Sequence, residues 1–190
     1  MALTPSTMTA LGTLCPPFGL VDVNSGRTVR NTDFAGRPLL VMFICNHCPY
    51  VVFIQAKLGP MARELESRGI AVVGICSNDE GTHPSDGPEP MAHNAKAHGW
   101  AFPYLHDASQ SVARAFDAAC TPDFFLFNAA HELAYRGQFD SSRPGSGVPA
   151  TGEDLLAAAV AVAEGKSPSS RQLPSMGCNI KWRLAKVATP

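Results

Sequence analysis

Two cysteines spaced as Cys45-Asn46-His47-Cys48 are the residues of this chain best suited to chemistry. Thiols three positions apart can exchange with a disulfide in one step and close a disulfide of their own in the next. The motif directly follows an apolar run, Pro38-Leu39-Leu40-Val41-Met42-Phe43-Ile44, which is short, branched and aromatic and therefore reads as a buried strand. From Pro49 to Arg68 the apolar residues Val51, Ile54, Leu58, Met61 or Ala62, and Leu65 mark one face of a helix. The cysteines thus fall on a strand-to-helix turn, where unpaired N–H groups and the positive end of the helix dipole favour a thiolate. Such surroundings lower a thiol from its ordinary pKa of about 8.5. His47 adds a positive charge when protonated, and Pro49 lacks only an N–H that the first turn can spare. A pair of merely structural cysteines would not account for strand end, CxxC spacing and helix start coinciding.

The elements around the motif alternate. Phe18, Leu20 and Val21-Asp22-Val23 lead into Asn24-Ser25-Gly26 and return at Thr28-Val29, a β-hairpin within Leu14–Arg30. After the long helix, which Gly59-Pro60 should kink and Gly69 close, Ile70–Cys76 is a second continuous apolar run and a parallel strand, giving a βαβ unit. Ser77–Pro90 is a long Pro/Gly loop of the kind that carries function. Met91–His98 and Ser109–Asp117 read as helices, with Phe102–Leu105 extended between them. Cys120-Thr121-Pro122-Asp123 precedes a buried strand, Phe124–Phe127. Leu133, Tyr135 and Phe139 alternate with Ala134, Arg136 and Gln138, as on a half-covered antiparallel strand, where Arg136 and Tyr135 are ordinary members. Thr151-Gly152-Glu153-Asp154 resembles a capping box for a last helix, Leu155–Glu164.

Composition removes several classes. With 190 residues, 45% of them hydrophobic, and a formal charge of −1, the chain is expected to form one domain with a sizeable core, with no attraction to nucleic acid or an anionic membrane. No apolar stretch reaches the roughly 20 residues that span a bilayer. Met1–Leu14 lacks a basic region and a long apolar core, so no secretory signal is read and the cytoplasm is the expected compartment. In a reducing compartment six cysteines do not form a static disulfide framework.

The stretches Phe43–Val51, Cys120–Phe127, Tyr135-Arg136-Gly137-Gln138-Phe139-Asp140 and Gly177-Cys178-Asn179-Ile180-Lys181-Trp182 together resemble the peroxiredoxin-like group of the alkyl hydroperoxide reductase/thiol-specific antioxidant superfamily. The resemblance implies an α/β, thioredoxin-like fold: a central mixed β-sheet flanked by helices, an N-terminal β-hairpin extension and a C-terminal tail. Residues 10–165 would form the domain, and 166–190 a tail docked on it or on a neighbouring subunit. It further implies that Thr121-Pro122 is a cis-proline turn packed against the CxxC, and that Cys48-Pro49 is similar to the peroxidatic Cys-Pro of peroxiredoxins. The chain departs from that family where peroxiredoxins have Thr or Ser and it has Cys45. It also lacks their peroxide-polarising arginine beside the Pro-initiated strand, leaving Arg114 and Arg143 as substitutes.

Three readings follow. In thiol–disulfide exchange Cys45 attacks a protein or small-molecule disulfide and Cys48 resolves it. In peroxide reduction Cys48 attacks and Cys45 condenses with the sulfenic acid. Either enzyme needs a thiol donor, thioredoxin-like or glutathione, and no cofactor; a homo-oligomer is left open. The third reading is a metal-binding or copper-delivery module using Cys45, His47 and Cys48 with His83, His93, His98 or His106, although no second ligand pair of matching spacing exists, so no metal is expected. Cys120 and Cys178 are candidate extra redox thiols; Ile180 and Trp182 should dock, either holding Cys178 near the pair as a resolving thiol or only covering apolar surface with Cys178 inert. Cys76 and Cys15 carry no such expectation.

Overall fold

In the computed structural model, which describes residues 3–184, the chain opens on a short strand, β1 (Leu3–Pro5). The expected hairpin follows, β2 (Gly19–Asp22) against β3 (Thr28–Arg30). Asp22 makes its turn by accepting from the N–H groups of Asn24 and Ser25 and from the Ser25 hydroxyl, as Asx turns do. β4 (Leu39–Phe43) is buried along its whole length, as a strand covered on both faces must be. α1 (Pro49–Ser67) then turns Val51, Ile54, Leu58, Met61, Ala62 and Leu65 inward. It runs on as one helix through Pro60. Gly59 is there for another reason: a Cβ would stand 3.1 Å from the carbonyls of His98 and Gly99, so it lets the helix approach that turn. Gly69, at φ +82°, follows the helix end.

β5 (Ala71–Cys76) lies parallel to β4 and completes the βαβ unit. The loop beyond it includes a 3-10 turn at Pro84–Asp86 and leads into α2 (Pro88–Ala97), which starts earlier than the expected Met91 because Pro88 is suited to a first helical turn. β6 (Tyr104–His106), the short α3 (Ser111–Ala115), β7 (Cys120–Thr121), β8 (Asp123–Phe127), β9 (Leu133–Gly137), α4 (Glu153–Ala163) and β10 (Met176–Asn179) follow. The central sheet has the order β3-β2-β6-β5-β4-β8-β9, parallel at its centre and antiparallel toward both edges. A second, three-stranded sheet has the order β1-β10-β7. Among the described residues no helix is long and apolar enough to cross a membrane.

Alternate residues of the central strands feed two cores. Leu40, Met42, Val72 and Phe124 pack with α1, α2 and α4. Leu39, Val41, Phe43, Val73 and Phe125 pack on the other face around Phe116, whose ring meets Phe43 and Phe125 edge-on. Each such ring contributes roughly 1.5–3 kcal/mol by leaving water.

Two local expectations need correction. β9 is not half-covered: Tyr135, Arg136 and Gly137 are all buried, because Arg136 turns inward to pair with Asp123 of β8 at 3.0 Å. Thr151 caps nothing: α4 begins after Gly152 in a left-handed conformation (φ +75°), and the Thr151 and Gly152 N–H groups each donate to the Asp140 carboxylate at 2.6 Å. In the tail, residues 176–179 form β10; Ile180 is buried, and half-buried Trp182 lies under the Arg114 guanidinium at 4.3 Å. Residues 185–190 of that tail lie outside the described residues.

Candidate active site

β4 ends at Phe43, and two residues later the chain enters the turn that carries the thiols. Cys48 is the N-cap of α1 and Pro49 opens the helix. Facing them is Thr121, at the end of β7, joined to Pro122 by a cis peptide bond. Cys45 Sγ lies 3.3 Å from Thr121 Oγ1, and Cys48 Sγ lies 3.0 Å from the Thr121 carbonyl oxygen. One residue is thus in contact with both sulfurs. The thiols are unbridged and closed to solvent, Cys45 being 1% and Cys48 0% exposed.

The pair does not share charge evenly. A hydrogen bond from the Cys45 thiol is the main influence on Cys48; it outweighs burial and, with further donors at Cys178, Val51 N–H and Thr121, lowers Cys48 to about 4. The Thr121 carbonyl favours the protonated form, to which it offers an acceptor, but one acceptor is outweighed by several donors. Cys45 moves the other way. Burial pushes it well above the ordinary thiol value, and its donation to Cys48 and the negative charge of Asp86 add to this. The two thiols are thus shifted in opposite directions, Cys48 toward the thiolate and Cys45 toward the thiol.

His47 does not turn to the thiolate. Its Nδ1 lies 2.6 Å from Asp86 Oδ2 and donates to it, and its ring stacks on His83 with centroids 4.6 Å apart. Asp86 also accepts from Asn78 Nδ2 and from the Asn46 N–H, each at 2.8 Å. Burial works against the Asp86 charge, but the donors His47, Asn78 and Asn46 prevail and hold the carboxyl below its ordinary value. Asn46 is pinned as well: its Nδ2 donates to Ser85 O at 2.7 Å and its Oδ1 accepts from Asn94 and the Tyr104 hydroxyl. Beside Asn46 an open groove of about 450 Å³ is lined by Ser85, Glu89, Pro90, His93 and Asn94. Ligand atoms of Cys45, His47 and Asp86 lie within 4.8 Å of one another, a sulfur, nitrogen and oxygen set that a zinc ion accepts, but a metal there would compete with the three donors already on Asp86.

The other nominated residues divide. Cys178 on β10 stands opposite Thr121; burial first, then its neighbour Cys48, pushes it up to about 12. Cys120 donates to Pro122 O at 3.5 Å, and burial raises its pKa far above the ordinary range. The two arginines considered for peroxide are engaged elsewhere: Arg114 covers Trp182, and Arg143 donates to the Asp140 and Ser142 carbonyls and to Gln138. Asp86 was not singled out from sequence, although the long Ser77–Pro90 loop that holds it was. Arg136 was passed over, although a lone charge in an apolar strand, with Asp123 heading the neighbouring apolar run, was a signal of pairing.

The AhpC/TSA family model matches residues 11–139. Among solved structures, an uncharacterized conserved protein from Geobacillus kaustophilus superposes with a TM-score of 0.95 at 45% identity, covering 97% of this chain and 98% of that one. A hypothetical protein from Sinorhizobium meliloti 1021 does so with a TM-score of 0.93 at 47% identity, covering 96% and 100%. A peroxidoxin from Mycobacterium tuberculosis shares the fold at 16% identity, with a TM-score of 0.59 over 82% of this chain and 96% of that one. No curated protein matches.

Proposed function

The chain belongs to the AhpC/TSA family, with a thioredoxin-like fold and the activity of an oxidoreductase, and from that premise we propose that it exchanges disulfides through Cys45 and Cys48. The observation that carries this reading is the placement of both sulfurs against Thr121, Cys45 Sγ 3.3 Å from its hydroxyl and Cys48 Sγ 3.0 Å from its carbonyl oxygen, with Cys48 as the N-cap of α1. It supports Cys48 as the attacking thiolate, a role that the sequence alone assigned to Cys45 in exchange and to Cys48 only in peroxide reduction. Cys48 attacks one sulfur of a substrate disulfide, and the first substrate thiolate leaves and takes a proton from water. Cys45 then loses its proton and attacks the Cys48 sulfur, releasing the second substrate thiolate. Two electrons have passed to substrate, and the Cys45–Cys48 disulfide is reduced again by a thiol donor, thioredoxin-like or glutathione. A thiolate of low pKa is a good leaving group, so this disulfide should be readily reduced. Six unbridged thiols suit a reducing, cytoplasmic setting.

The same thiolate supports peroxide reduction as the second reading, with Cys48 becoming a sulfenic acid that Cys45 condenses with. The engagement of Arg114 and Arg143 weighs against it. Cys45→Ser separates the two. Offered a disulfide, it should accumulate a mixed disulfide on Cys48; offered peroxide, it should react no faster than a free thiolate. Rapid sulfenic acid formation with no mixed disulfide would reverse the assignment.

A further inference from the structure

We infer that β10 is a resident occupant of the edge that leads to the thiols, and that the Cys45–Cys48 pair therefore takes small disulfides rather than disulfides carried on an extended protein segment. This rests on the exchange reading above and names its substrate class. Thr121 contacts both sulfurs, so the edge of β7 is where an incoming polypeptide could add as a strand and bring its own sulfur to the pair. That edge is taken. Cys178 pairs with Thr121 and Asn179 with Cys120, which puts a sulfur of the chain itself where a substrate's would lie.

The occupation is built, not incidental. Gly177 fits because it has no side chain: a Cβ there would lie 2.0 Å from Thr121 O. On its outer side β10 is sealed by β1, with Leu3 opposite Cys178 and Pro5 opposite Met176. At its start Ser175 Oγ donates to Pro122 O at 2.7 Å. Beyond its end Ile180 is buried, Lys181 N–H donates to Asn78 Oδ1 at 2.8 Å, and the Lys181 carbonyl accepts from Asp79 N–H and from Gln110 Nε2. A strand anchored on both sides does not yield its place to a competitor of equal length. Beside Asn46, which follows Cys45 in the chain, lies an open groove lined by polar and charged groups including Glu89 and His93, a size and chemistry that suit a small polar disulfide.

The test compares two substrates with the same sulfur chemistry: cystine, and an extended peptide whose one cysteine is bridged to free cysteine. Reduced protein is mixed with an excess of each, and thiol loss is followed in a single turnover. Wild type should react at least about tenfold faster with cystine. Gly177→Val cannot keep β10 on β7, and should bring the two rates within about threefold by raising the peptide rate. Release of Cys178 from Cys48 in that variant acts on both substrates alike and cancels in the ratio. Ile180→Ala, which loosens the anchor and leaves Gly177 in place, should shift the ratio the same way if Gly177→Val does not fold. Equal rates in wild type, or an unchanged ratio in either folded variant, would overturn the substrate class while leaving exchange intact. If neither disulfide reacts and peroxide does, the exchange reading falls, and this inference with it.

Discussion

Asp123 and Asp86 are both closed to solvent, yet they are met by different kinds of partner. Asp123 faces Arg136, itself 0% exposed, at 3.0 Å, and also accepts from Ser6 Oγ and Ala119 N–H. Arg136 spends its other donors on Ser6, Thr9 and the carbonyls of Phe116 and Asp117, and stacks 3.8 Å over the Phe125 ring. Burial pushes the Asp123 carboxyl up and the Arg136 guanidinium down, so their mutual attraction works against desolvation. An arginine keeps its charge at every physiological pH, and the result is a fixed clamp between β8, β9 and the N-terminal segment. Asp86 instead meets a histidine from the CxxC turn and two neutral donors. The same degree of burial thus goes with opposite shifts, the Asp123 carboxyl up and the Asp86 carboxyl down.

Arg136→Met tests the clamp and should have the largest effect, because it strands a buried carboxylate: about 3–5 kcal/mol of stability, measured by urea unfolding. Adding Asp123→Leu should recover most of that loss, since two apolar groups leave nothing unpaired. A loss below about 1 kcal/mol in the single variant would make the clamp no different from a surface pair.

Asp86→Asn should cost less, about 1–3 kcal/mol, by removing a charged acceptor from His47. Its signature is the acid limb. The folded Asp86 pKa lies below the unfolded value of about 3.9, so its stabilisation is complete above that value and is lost as pH falls through the folded pKa. Asp123 is raised, so its contribution has the opposite sign: stability declines as pH rises from about 3.9 through its folded pKa. Tm measured across the acid range should fall less steeply below about pH 4 in Asp86→Asn than in wild type. Parallel curves would erase the distinction between the two aspartates.

On the thiols, Cys45→Ala removes the leading donor to Cys48 and should raise its pKa by about one unit or more, read from the ultraviolet absorbance of the thiolate. His47→Ala should move the same pKa by less than about half a unit, since His47 serves Asp86. A larger rise would restore His47 to the role that its place between the cysteines first implied.

What could be read from sequence was whatever depends on neighbours in the chain. β4 and α1 announce themselves by a continuous apolar run followed by a 3.6-residue period, and the thiols lie where the one becomes the other. The hairpin was legible in Asn24-Ser25-Gly26 for the same reason. The His47–Asp86 pair was not, because the partners stand 39 positions apart and no periodicity links them. Arg136 was misread because alternation along a strand assumes that a charge faces water, an assumption that fails when the next strand supplies its counter-ion. The capping box failed because Asp140, from a preceding loop, had already taken the N–H groups at the start of α4.

The small sheet β1-β10-β7 joins parts of the chain that are made at very different times. On a ribosome, Cys45, Cys48 and Thr121 emerge before residues 176–179, so the edge of β7 stands unpaired beside two thiols while the rest of the domain is taking shape. Contacts between positions as distant as Leu3 and Cys178 are the slow kind, since a long loop must close before they form. A strand edge and a reactive pair exposed together are also what exchange partners and aggregating neighbours seek. A newly made molecule is therefore open at the very surface that the finished one keeps to itself, and its encounters with other cysteine-bearing chains belong to the interval before β10 arrives.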